Sequence, residues 1–65
     1  MINFLKILEN LSYQDFIQNH LTTDFYRILF IDTINQKLAL MVDKTIKWFS
    51  EVDFIITPKG LELIR

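Results

Sequence analysis

No cysteine occurs among the 65 residues, which excludes a disulfide framework, a thiolate nucleophile and a Cys-type zinc site. Histidine occurs once, and one imidazole alone does not make a metal site. Glycine and proline also occur once each, as Gly60 and Pro58, so no glycine-rich phosphate loop, nucleophile elbow or Pro/Gly-rich linker is encoded. Neither sign of charge prevails. Seven Lys and Arg stand against eight Asp and Glu, a formal net charge of −1, which leaves no broad basic footprint for nucleic acid. The longest purely apolar runs, Ile28-Leu29-Phe30-Ile31 and Leu38 to Val42, fall far short of the ~20 residues that span a bilayer. The opening Met1-Ile2-Asn3-Phe4-Leu5-Lys6 has no signal-peptide pattern. These absences lead to the expectation of one cytoplasmic domain over 1–65, not an enzyme, with no metal, no cofactor and no membrane segment.

Apolar surface, by contrast, is abundant. Hydrophobic residues make up 51% of the chain, and six Phe, two Tyr and Trp48 supply the rings. A domain of this size buries only ~60% of what its unfolded chain exposes, so it has little interior for so many large side chains. The remainder points to a second chain that covers it, either another copy or a protein target. Aromatic residues are the usual anchors of interfaces, and the candidates here are Tyr13, Phe16, Tyr26, Phe30, Trp48 and Phe49.

Periodicity predicts a helix first. Ile2, Phe4, Leu5, Leu8 and Leu11 recur at helical steps, with Ile7 widening the stripe. Ser12 and Asp15 then resemble a capping box, and Tyr13, Phe16, Ile17 and Leu21 fall on one face of a second helix. The run from Phe25 to Ile31 is nearly continuous and apolar. It is either a buried strand, joined through a turn at Asp32–Gln36 to a second strand at Lys37–Val42, or part of one long helix from Asp24 to about Val42. Aromatic and β-branched content favours the strands. Thr45-Ile46-Lys47-Trp48-Phe49 and Phe54-Ile55-Ile56-Thr57, separated by Ser50-Glu51-Val52-Asp53, read as a hairpin. Beyond it, Thr57 and Pro58 suit the start of a short closing helix, while Pro58 and Gly60 equally suit a tight turn into a last strand.

The stretch Phe54-Ile55-Ile56-Thr57-Pro58-Lys59-Gly60-Leu61-Glu62-Leu63-Ile64 resembles the end of many winged-helix DNA-binding proteins, in which the second wing strand runs through such a turn into a closing helix. The resemblance covers residues 54–64. It implies a three-helix core followed by a wing made of 45–49 and 54–57, and it tips residues 58–65 toward helix. Recognition of DNA by such a fold calls for exposed basic residues, whereas Phe25 to Ile31 carries Arg27 alone. Tyr26-Arg27-Ile28-Leu29-Phe30-Ile31-Asp32, with Asn35 and Lys37-Leu38, is similar to the opening hairpin of the JAB-type family related to bacterial DNA-repair proteins. That family's zinc-binding His and Asp residues have no counterpart in this sequence.

The expected fold is therefore α+β: two N-terminal helices packed on a small antiparallel sheet or wing, with a short C-terminal helix, winged-helix-like in outline. His20 is read as a helix-end residue that complements the dipole. Asp24, Asp32, Glu51 and Asp53 are read as turn and cap residues. Lys44 and Lys47 flank Trp48, and together with Lys59 they are the nucleic-acid candidates, since an aromatic among lysines can stack on bases. The plainer and preferred reading is that Trp48 packs inward while the lysines solvate an exposed strand, since lysines also guard sheet edges. The function expected first is a non-catalytic regulatory or protein-interaction module, working as a homodimer or bound to a protein target. The alternative is a winged-helix-type DNA-binding transcriptional regulator.

Overall fold

Extended strands take up most of the chain from Phe16 onward, and they build a β-protein. The computed structural model describes residues 3–65. One helix, α1 (Phe4–Asn10), precedes six strands: β1 (Phe16–Asn19), β2 (Phe25–Asp32), β3 (Lys37–Val42), β4 (Thr45–Ser50), β5 (Phe54–Thr57) and β6 (Gly60–Leu63). A 3-10 turn at Glu51–Asp53 links β4 to β5. Asn3 caps α1 by accepting the Lys6 N–H on its side chain at 2.8 Å, and Phe4 and Leu8 face the core. The N-terminal helix is thus present over 4–10; Ile2, also placed in it by periodicity, lies outside the described residues.

The second helix does not form. Asp15 accepts the Ser12 N–H, Ser12 Oγ accepts the Gln14 N–H, and the Asp15 N–H closes on Ser12 O, which makes an isolated turn. A short polar side chain followed by an acid three residues later serves such a turn as well as a helix start. In β1, Ile17 and Asn19 are buried and Phe16 is exposed, so the aromatic spacing that mimicked a helical face is divided between two sides of a strand. His20 accordingly follows a strand and has no helix end to complement.

The six strands form one sheet in the order β4-β3-β2-β1-β6-β5, antiparallel throughout except for the parallel pair β1–β6. Its two edge strands are consecutive in sequence. Laid flat, five strand spacings would hold β4 and β5 roughly 24 Å apart. Four residue steps from Ser50 to Phe54 reach at most about 14 Å. The sheet must therefore curl, and it does so into a half-barrel. Phe4 and Leu8 of α1 fill the trough against Ile17, Ile28, Leu38, Leu40, Phe54 and Leu63. The Phe4 and Phe54 rings stack at 5.6 Å, and Phe49 meets Phe54 edge-on at 6.1 Å.

Residues 25–42 are the strand–turn–strand pair and not a long helix. The hairpin expected from 45–49 and 54–57 is absent: β4 pairs with β3, and β5 pairs with β6. Three residues of 3-10 helix join the two strands, and each finds a neighbour that continues the core it needs. Residues 58–65 also turn away from helix. Thr57 Oγ1 accepts the Lys59 N–H, Gly60 sits at φ +119°, and β6 runs back along β5. A backbone angle of that sign is foreign to a right-handed helix and is available to glycine without a steric penalty. With one short helix among the described residues, and with 45–49 and 54–57 on opposite edges of the sheet, the α+β, winged-helix-like outline is overturned. Among the described residues no helix is long and apolar enough to cross a membrane.

Candidate functional site

Two local devices determine what the convex side of β2, β3 and β4 displays. The first is a bulge. Ile28 pairs with Leu40, but Phe30 pairs with Ala39, which leaves Leu29 as an extra residue in β2. Upstream of it, even-numbered Ile28 faces the core. Downstream the phase is reversed, so Ile31 packs on the core while Phe30 and Asp32 turn out. Without the bulge, the Asp32 carboxylate would point into the barrel and Ile31 into water.

The second device is the β3–β4 loop. Asp43 and Lys44 both hold positive φ, +50° and +65°, as a two-residue hairpin loop of the I′ type demands. That loop fixes the register Leu38↔Phe49, Ala39↔Trp48, Leu40↔Lys47 and Met41↔Ile46. Partners directly opposite share a face. Phe49 therefore joins the core side with Leu38, whereas Trp48 and Ile46 stand outside with Ala39 and Met41.

The result is an apolar surface on the outer face. Phe30 and Trp48 flank Ala39 in the ladder, and their rings stack at 6.1 Å with an interplanar angle of 17°. Ala39 is completely buried beneath them, while Phe30 and Trp48 are 56% and 51% exposed. Met41 and Ile46 extend the surface, and Phe16, opposite Arg27 on β1, continues it. The rim is polar. Asp32 pairs with Lys37, and with Asn35 they surround one side of Trp48. The Asp32 carboxyl is held below its ordinary value, first because it accepts the Asn35 N–H and side-chain amide and also because Lys37 lies near.

A second cluster lies on the outer side at the β1–β6 seam. Glu62 is buried and accepts hydrogen bonds from His20 Nδ1 at 2.9 Å and Thr57 Oγ1 at 2.8 Å. These bonds hold its carboxyl below the ordinary glutamate value. The role this geometry gives His20 is to tie the end of β1 to β6. Asn19, also buried, accepts the Leu21 and Thr22 N–H groups and donates to Arg65 O at 2.7 Å, so the same turn is braced from within. Asp53 accepts the Ser50 N–H and the Arg65 Nε–H, which together lower its carboxyl and pin residue 65 to the β4–β5 link. Among the described residues no group of three His, Asp or Glu side chains is placed to hold a metal ion.

Of the aromatic candidates, Phe30 and Trp48 come together, and Phe16 shares their face at a distance of one strand. Tyr13 is exposed and accepts the Ile31 N–H on its hydroxyl at 3.3 Å. Tyr26 and Phe49 pack against the core. Met41, Ile46 and Ala39 were not singled out from the sequence. The signal was the apolar run Leu38 to Val42, which is too continuous for a strand with one wet face. Lys44 lies in the β3–β4 loop, Lys59 in the β5–β6 turn, and Lys47 faces the opposite side of β4 from Trp48. Lys47 and the ring it adjoins in sequence are thus divided between the two sides of β4.

No protein-family model, curated protein or solved structure matches this chain.

Proposed function

We propose that this protein is a non-catalytic interaction module that docks a protein partner on the outer face of β2, β3 and β4. The observation that carries the reading is the Phe30–Trp48 pair, half exposed over a buried Ala39 and continued by Met41 and Ile46. Packing two rings on the wet side of a sheet and bordering them with Asp32, Asn35 and Lys37 reproduces the layout of an interface, an aromatic centre within a polar rim. A protein suits this face better than a nucleic-acid backbone, since Lys47 points to the other side of β4 and Lys37 at the rim stands opposite Asp32.

A photo-activated cross-linker installed in place of Met41, on that face beside the ring pair, tests the reading in the protein's own cells. The expected product is a discrete adduct of protein mass that disappears when Phe30 and Trp48 are both changed to Ser in a chain that remains folded by circular dichroism. Absence of any protein adduct at Met41 overturns it.

A further inference from the structure

We propose that β4 is also the seam of a homodimer, in which its open edge pairs antiparallel with β4 of a second copy, Trp48 opposite Trp48. This rests on the reading of the molecule as an interaction module and names one of its partners. The two-residue loop at Asp43-Lys44 closes on a hydrogen-bonded pair, Val42 with Thr45. Alternation along the ladder then makes Met41↔Ile46 and Ala39↔Trp48 non-hydrogen-bonded pairs, so the N–H and C=O groups of Ile46 and Trp48 point away from β3. Ser50, next in that series, confirms the parity: its N–H leaves the sheet and bonds the Asp53 carboxylate. Ile46 and Trp48 thus offer a row of backbone donors and acceptors at an edge whose only charged strand residue is Lys47.

Charge selects the register. A two-fold axis normal to the sheet keeps the outer faces of both copies on one side, and it passes midway between the two β4 strands, where one residue faces its own copy. Centred on Lys47, the pairing would set the two lysines against each other in a close, non-hydrogen-bonded position, where like charges destabilise. Centred on Ile46, it would overlap only the start of the strand. Centred on Trp48, it sets Lys47 against Phe49, lets the Ile46 N–H donate to the Ser50 C=O while the Ser50 N–H keeps its bond to Asp53, and pairs the two indoles on the outer face beside their Phe30 neighbours. That register satisfies both backbone groups of Trp48 and the Ile46 N–H without opposing like charges, and it is self-complementary, as a two-fold contact requires.

The chain has no cysteine, so introduced thiols meet no native one. Trp48→Cys, and Ile46→Cys combined with Ser50→Cys to retain the indole, should each cross-link on mild oxidation into a species of doubled mass. Lys47→Cys should remain unlinked, because a disulfide tolerates only a narrow range of separations and directions. Sedimentation of the unmodified chain at high micromolar concentration should give the dimer mass. A monomer at that concentration overturns the proposal, and so does a dimer that links through Lys47→Cys or through none of these positions. A foreign adduct at Met41 from a monomeric chain would remove the homodimer and leave the interaction reading standing; a cross-linked dimer with no adduct at Met41 would do the reverse.

Discussion

Phe30 and Trp48 lean toward each other across Ala39 until their rings stack at 6.1 Å, although a whole strand separates them in the sheet. The smallness of Ala39 makes this possible. Replacing it with Leu would drive a branched side chain under both rings, an overpacking that costs about 1–3 kcal/mol in well-packed sites. Ala39→Leu should lower the urea midpoint and shift Trp48 emission to the red, as the indole moves further into water. An unchanged spectrum would show that the rings do not rest on residue 39.

The short helix depends on the barrel. Seven residues are too few to be helical on their own in water, so α1 is held by Phe4 and Leu8. Leu8→Ala should cost about 2–5 kcal/mol. A domain this small has roughly 3–5 kcal/mol to lose, so the variant should populate the unfolded state at ambient temperature. Loss of far-ultraviolet signal together with a shallow thermal transition would show this.

Two backbone positions test strain without touching the core. Lys44 holds a left-handed conformation in the β3–β4 loop, and Lys44→Gly should stabilise the chain by about 0.5–1 kcal/mol. Gly60 has open space where a Cβ would stand, yet its φ of +119° is one that side chains rarely adopt. Gly60→Ala should therefore destabilise by about 1–3 kcal/mol through the backbone alone. Chemical denaturation of the two variants beside the parent gives both signs.

Acid should weaken the fold through its bonded carboxylates. Asp32, Asp53 and Glu62 are all held below their ordinary values of 3.8, 3.8 and 4.5. A carboxyl whose folded-state value is depressed adds stability that is fully present above its unfolded value and is lost as pH falls through the folded one. Stability contributed by these groups should hold from neutrality down to about pH 5 and decline below about pH 4. In Glu62→Gln, which cannot ionise, part of that decline should vanish and the plateau should be lower. A parent whose denaturation midpoint is level to pH 2 would contradict the assignment.

Several features could be read from residue order alone. The helical stripe of Phe4 and Leu8, the turn chemistry at Asp32 and Asn35, and the β-character of 25–42 were each dictated by side chains within a few positions of one another. An excess of apolar side chains over available interior was likewise a matter of counting. The outer aromatic face was half legible: Phe30 and Trp48 stood out as rings, but the bulge at Leu29, which turns Phe30 outward, leaves no mark that distinguishes it in a run of large apolar residues.

What neighbours decided lay beyond such local signals. Phe16 and Ile17 had a helical spacing and became a strand because β2 and β6 offered backbone partners on both sides. Pro58-Lys59-Gly60 suited a helix start and a tight turn alike, and the hydrogen bonds of β6 to β5 and β1 made it a turn. The pairing of β4 with β3 instead of β5 came from the two-residue loop at Asp43-Lys44, and the three-residue link from β4 to β5 then required the sheet to curl. Composition and periodicity specify how much must be buried and which residues turn the chain; strand pairing is a contact between distant segments, so its outcome rests on the whole set of competing partners.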